Sequence, residues 1–148
     1  MEAVLKAMKL EPTCDAWNGT GSIESLEELD RHSFVKCSIA LSGRILYCFR
    51  RSPAYGPFEN QRKYIRKILG LIAYRKDLLL KLPLLLPSPI EESEFIEQVR
   101  LLDHGYNLWS VPVNPSLPSV NEPQEAQIVI DKIKLDPEQA ELLAGILK

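Results

Sequence analysis

Residues 62–72 read Arg62-Lys63-Tyr64-Ile65-Arg66-Lys67-Ile68-Leu69-Gly70-Leu71-Ile72. With Ile65 as origin, Ile68, Leu69 and Ile72 recur three, four and seven positions on, the spacing of one face of an α-helix. Arg62, Lys63, Arg66 and Lys67 fall on a second arc beside that face. The pattern predicts a helix from Glu59 to about Leu82. It stops before Pro83, which lacks an N–H and clashes with the preceding turn.

Upstream, Phe34–Leu41 alternates Val35, Cys37, Ile39 and Leu41 with Lys36, Ser38 and Ala40, the period of a half-buried strand. Ser42-Gly43-Arg44 turns the chain, and Ile45–Phe49 reads as a second strand or a short helix. Ser52-Pro53 and Tyr55-Gly56-Pro57 make an irregular link. Nearer the start, Val4, Leu5 and Met8 suit a short helix, which Pro12 and Asn18-Gly19-Thr20-Gly21 break. Ser22 caps a second one, Ile23–Asp30. Residues 1–31 are acidic and are expected to form a partly flexible arm, with residues 32–148 as a single globular domain.

Downstream, residues 82–90 hold three prolines and no charge, which suits neither a helix nor a central strand. An exposed apolar loop is expected there. Glu91–His104 reads as one helix with Phe95, Ile96, Val99 and Leu102 inward, and Tyr106–Val113 as a strand. Ala126–Leu135 reads as a final strand, and Asp136-Pro137 opens a C-terminal helix. The expected fold is α+β, a small antiparallel sheet with two to four helices packed on it.

The 148 residues carry a net charge of -2, which hides a segregation. Residues 44–81 contain ten Lys and Arg against Glu59 and Asp77, whereas the rest holds eight basic and eighteen acidic side chains. That excludes a uniformly basic protein and leaves room for a basic working face. Three cysteines without CxxC spacing read as reduced thiols of an intracellular protein. The start of the chain lacks the pattern of a secretory signal, and no apolar run reaches the roughly 18–20 residues of a membrane span.

Enzymatic motifs are missing from the sequence: there is no GxGxxG, P-loop, GxSxG or HExxH. His32 and Cys37 lie five residues apart, about 16 Å in an extended segment, so they are not local partners. Glu91, Glu92, Glu94 and Glu97 read as a solvated helix face. No catalytic residue, cofactor or metal ligand is expected. The basic helix and the leucine loop together point to an interface. Cations attract phosphate while leucines enter an acyl boundary or a neighbouring subunit.

The order of segments resembles the matrix proteins of rhabdoviruses over about residues 32–90 and 128–135. It is carried by the Phe34–Leu41 strand, Tyr55-Gly56, the basic-then-aliphatic run from Arg62 to Ile72, the apolar loop and a late strand. The resemblance implies a viral structural protein, not an enzyme, that self-associates under a membrane and bridges it to a ribonucleoprotein during budding. On this reading Arg62, Lys63, Arg66 and Lys67 bind anionic membrane lipids or the viral nucleocapsid, with possible non-specific RNA contact. Leu84, Leu85 and Leu86 form the hydrophobic loop. Glu24, Glu27 and Glu28 meet the basic face of another copy in a homo-oligomer. The implied location is the virion and the host cytoplasm, peripheral at the membrane. The alternative is a cytosolic adaptor or regulatory domain whose basic helix binds an acidic protein or RNA.

Overall fold

The computed structural model describes residues 2–113, 120, 122, 123 and 125–146. They fall into two compact units, residues 1–116 and 117–148. The first unit contains, in order, α1 (Glu2–Leu10), β1 (Ala16–Gly21), α2 (Leu26–Asp30), β2 (Lys36–Ile39), β3 (Ile45–Phe49) and α3 (Phe58–Gln61). It continues with β4 (Ile65–Tyr74), α4 (Lys76–Lys81), a 3-10 turn at Leu82–Leu84, α5 (Pro89–Glu94), α6 (Gln98–Asp103) and β5 (Leu108–Pro112). The second unit holds α7 (Glu125–Leu135) and α8 (Pro137–Ile146).

The five strands form one sheet in the order β3-β2-β4-β1-β5. Its class is α+β, as expected, but the sheet is mixed: β1 runs antiparallel to β4 and parallel to β5. A parallel neighbour needs a long crossover, and here the connection from β1 to β5 carries most of the unit.

The helix expected over Glu59–Leu82 is instead a short α3, the ten-residue strand β4 and a short α4. The cause lies in the two faces of β4. Ile68, Ile72 and Tyr74 pack on one core with Cys37, Cys48, Leu78, Ile96, Val99 and Leu108. Leu71 and Ala73 pack on the other face, against Val4, Trp17 and Val111. A strand covered on both faces is aliphatic throughout and loses its alternation, so its residues also fit a helical stripe. The β-branched Ile65, Ile68 and Ile72 favour the extended form.

Asn18-Gly19-Thr20-Gly21, expected as a helix breaker within an acidic arm, is most of β1. Every residue of β1 is buried between two neighbours. Register shifts between Asn18 and Thr20. At this bulge Gly19 lies so close to β4 that a Cβ would sit 3.4 Å from the Leu71 carbonyl oxygen. Small residues here allow backbone approach rather than flexibility.

Two further elements differ. Ala126–Leu135, expected as a strand, is helical; Gln127, Lys132 and Lys134 among its residues are good helix formers. The helix expected over Glu91–His104 is divided at Phe95, whose left-handed backbone (φ 56°) ends α5 and turns its ring outward. Lys36, read as solvent-facing, is fully buried. The C-terminal helix forms as expected, with Asp136 Oδ1 accepting from the N–H groups of Glu138 and Gln139 at 3.1 and 3.2 Å.

Candidate functional site

The four cations expected on one helical arc are dispersed. Arg62 follows α3 and reaches Glu59 at 3.6 Å, and Lys63 donates to Asn60 Oδ1 at 3.2 Å. Arg66 and Lys67 are successive strand residues and so point to opposite faces. Arg66 donates to the carbonyls of Arg62, Ile65 and Lys63. Lys67 is half-buried, lies over the Phe34 ring and pairs with Glu28 at 2.7 Å.

The charge complementarity between Glu28 and the basic segment is therefore met within one chain. Glu28 also accepts from the Glu24 N–H at 2.7 Å, while Glu27 is exposed, its carboxyl held below the usual range by the Ser25 hydroxyl. Leu84 and Leu86 are exposed, and Leu85 packs on the core.

Polar chemistry gathers instead where α5 and α6 meet the sheet. Ser88 caps α5 by accepting from the Glu91 N–H at 3.1 Å, with Pro89 in the first turn. Arg100 of α6 then donates twice to Glu91, at 2.7 and 2.6 Å. These two bonds hold the Glu91 carboxyl below its ordinary value and raise the Arg100 guanidinium. Pro87, Glu91, Glu92, Phe95, Glu97 and Arg100 line a cleft of about 510 Å3.

Arg50, just past β3, fixes one wall. Its guanidinium donates to the carbonyls of Glu94 (2.7 Å), His32 (2.9 Å) and Phe95 (3.1 Å). A cation is thus set on the last carbonyls of α5, where the helix dipole favours it. From α6, Gln98 Nε2 donates to Asn18 Oδ1 of β1 at 3.2 Å. The Asn18 amide in turn donates to the Leu69 carbonyl at 3.0 Å, across the bulge. Thr20 and Ser110 share a buried bond of 2.8 Å between β1 and β5.

Sequence reasoning missed Arg50, Gln98, Arg100 and Asn18 as members of one cluster. Glu91 and Arg100 are nine residues apart across the break at Phe95, so no helical spacing joins them. Among the described residues no group of three or more His, Cys, Asp or Glu side chains is placed to hold a metal ion. No described helix is long and apolar enough to cross a membrane.

The fold that carries this cluster is similar to that of a solved synthetase. A solved CMP:2-keto-3-deoxy-manno-octonic acid synthetase, complexed with CTP, matches 90% of the chain at 28% identity with a TM-score of 0.79; the match covers 55% of that protein. Among curated relatives, the 3-deoxy-manno-octulosonate cytidylyltransferase of Chlorobaculum tepidum is 36% identical over 105 residues, 68% of this chain and 41% of the relative. That of Chlorobium limicola is 33% identical over 110 residues, 72% of this chain and 43% of the relative. That of Chlamydia abortus is 26% identical over 84% of this chain and 48% of the relative. The chain spans less than half the length of these curated relatives, and no protein-family model matches it.

These likenesses overturn the expectation of a rhabdovirus matrix protein, since the relatives are bacterial enzymes. With it fall the non-enzymatic role, the virion location, and the nucleocapsid and membrane-lipid partners. The adaptor alternative finds no support either. The difference starts at residues 62–72, where a strand packed on both faces carries the same spacing as a basic amphipathic helix.

Proposed function

We propose that the chain supplies part of a cytidylyltransferase that joins CTP to 3-deoxy-manno-octulosonate. The observation that carries this is the shared fold over 90% of the chain at 28% identity with a synthetase complexed with CTP. In such a transfer an oxygen of the sugar acid attacks the α-phosphorus of CTP. The bond to the β-phosphate breaks, and pyrophosphate leaves with the electron pair.

The chain's own residues favour a share in this task on the sugar-acid side. Asn18-Gly19-Thr20-Gly21, its most glycine-rich run, is buried inside the sheet and cannot wrap a phosphate. In the cleft, the Arg100 guanidinium is already engaged by Glu91, and Glu92 and Glu97 add negative charge. Such a cleft repels a triphosphate more strongly than the single carboxylate of a sugar acid, and its own carboxylates suit sugar hydroxyls, which donate charge-assisted hydrogen bonds. Arg50, Gln98 and Asn18 hold the walls in place.

Saturation-transfer NMR on the chain with the sugar acid and with CTP, each alone, tests the reading. The sugar acid is expected to give transfer that weakens several-fold in Glu97→Gln, and CTP alone to give none. Transfer from CTP with none from the sugar acid, or an unchanged Glu97→Gln signal, would remove the cleft from the proposal.

A further inference from the structure

The hairpin of β2 and β3 carries two thiols that the cleft does not use. Cys37 and Cys48 are opposite partners in its register, so their side chains leave the same face of the sheet. That face is the core around Leu78, Ile96, Val99 and Leu108, where both cysteines are free thiols without solvent contact. Cys14 belongs to a different core, with Val4, Trp17 and Val111.

Backbone bonding fixes how close the two come. Ile39 donates its N–H to the Tyr64 carbonyl, and Val35 accepts from the Ile68 N–H, both at 2.9 Å. Odd-numbered residues of this stretch therefore direct their main-chain groups toward β4. Ala40, by contrast, donates to the Arg44 carbonyl at 2.9 Å, on the β3 side. Cys37 and Cys48 are thus a non-hydrogen-bonded pair, the closer of the two antiparallel kinds, with Cα atoms about 4.5 Å apart. A disulfide spans Cα separations of about 4.4–6.8 Å, so the native register already holds the thiols within bridging range. The register shift between Ser38 and Ile39 lies on the turn side and leaves Cys37 and Cys48 opposed.

We propose that Cys37 and Cys48 are a latent redox staple, joined by exchange with a small-molecule disulfide when the hairpin opens and held in native register when it closes. One thiolate attacks the small disulfide, forming a mixed disulfide and releasing one thiol. The second thiolate then displaces the other thiol and closes the Sγ–Sγ bond, so two protons and two electrons pass to the small disulfide. While the hairpin is closed, burial keeps the oxidant out and both thiols protonated, with Cys37 pushed up to about 12. Arg50, two residues past Cys48, bonds the Glu94 and Phe95 carbonyls, so the staple also secures the strand that carries one wall of the cleft. This inference rests on register and burial inside the first unit, independently of the cytidylyltransferase reading.

The full chain is held in urea, or refolded from it, in a buffer of reduced and oxidised glutathione; thiols are then trapped by alkylation and links mapped by proteolysis and mass spectrometry. In urea only loop length counts, and the shorter loop favours Cys37–Cys48 over either link to Cys14 by about three- to fivefold. Refolding should raise that preference by about tenfold or more, because the native register presents this pair alone. In the bridged chain, amide exchange over residues 36–49 should slow by about tenfold or more, and dithiothreitol should reverse it. The folded chain should bridge only as fast as the hairpin opens, a rate that rises with sub-denaturing urea. Cys48→Ala should stop at the mixed disulfide on Cys37. A preference unchanged by refolding, a lasting mixed disulfide in the wild-type chain, unchanged exchange over 36–49, or bridging as fast as an exposed thiol reacts, overturns the proposal. If Cys48→Ala fails to fold, the wild-type preference decides.

Discussion

Strands β1 and β4 lie side by side and experience different surroundings. β1 is six residues long, hydrogen-bonded on both sides and buried at every position. β4 is ten residues long, and only Ile65 among them is fully buried. The shorter strand, with two glycines and an asparagine, is the interior one; the longer aliphatic strand is only partly covered. Hydrophobic content alone does not rank strands by burial. Pairing on both edges and space for a close backbone do, and β1 meets its polar needs through Asn18, Thr20 and Ser110.

The largest expected break in this contrast is Trp17→Ala in β1. Trp17 is 1% exposed, so the cavity should cost about 3–5 kcal/mol. The matching change in β4, Ile72→Ala, removes a side chain that is only partly covered and should cost about 1–2 kcal/mol. Urea unfolding of both variants checks the pair; equal losses would show that the two strands are equally interior.

A smaller effect comes from β2, which joins β4 for three residues. Lys36 is fully buried, donating to the carbonyls of Arg31 (2.7 Å) and Glu28 (3.1 Å). Burial pushes its ammonium down to about 8, with the Arg50 charge adding to the push against Asp30 and Glu28. The folded chain therefore gives up this proton before the unfolded chain does. Its contribution to stability should rise as pH climbs from about 8 toward 10, by up to about 1.4 kcal/mol per unit for one proton.

Cys37 and Cys48 face each other across β2 and β3, and burial raises the first to about 12 and the second well above its ordinary value. Folded thiols keep protons that the unfolded chain loses around their ordinary value of 9.0, so their contribution falls as pH rises through it. Thermal melts from pH 7 to 10.5 should show a maximum near pH 9. Lys36→Met should remove the rising limb and leave the falling one. A rise that persists in that variant would assign it to another group.

The smallest expected change is Gly70→Val, at an exposed position of β4. A Cβ there meets nothing, and the backbone φ is ordinary, so stability should stay within about 0.5 kcal/mol or improve slightly. A loss above 2 kcal/mol in the same unfolding assay would show that this position is covered after all.

What could be read from the sequence tracks how local each signal is. The Tyr106–Val113 segment becomes β5, and the proline after Asp136 starts α8, because alternation and capping are decided by neighbours in the chain. β4 was hidden because packing on two faces erases the period that separates strand from helix. β1 was hidden because its Gly19 serves an approach to Leu71, a partner about fifty residues away. The cleft was the least legible part. Arg50 reaches Glu94, Gln98 reaches Asn18, and Arg100 reaches Glu91 across a left-handed turn, and none of these distances has a sequence period. Of the residues singled out in advance, Glu28 and Lys67 do meet, as partners within one chain.

The parallel union of β1 with β5 has a further consequence in time. The Thr20–Ser110 bond closes a span of 90 residues. At roughly 5–20 residues per second of synthesis, β1 waits about 5–18 s after its own appearance before that neighbour exists. In that interval the backbone of β1 that faces β5 is unpaired, and Trp17 lacks the cover that Trp109 and Val111 bring. The sheet's most enclosed strand is thus the one with the longest exposed youth, and refolding of this unit should be slow for its size because its defining contact is so far-reaching.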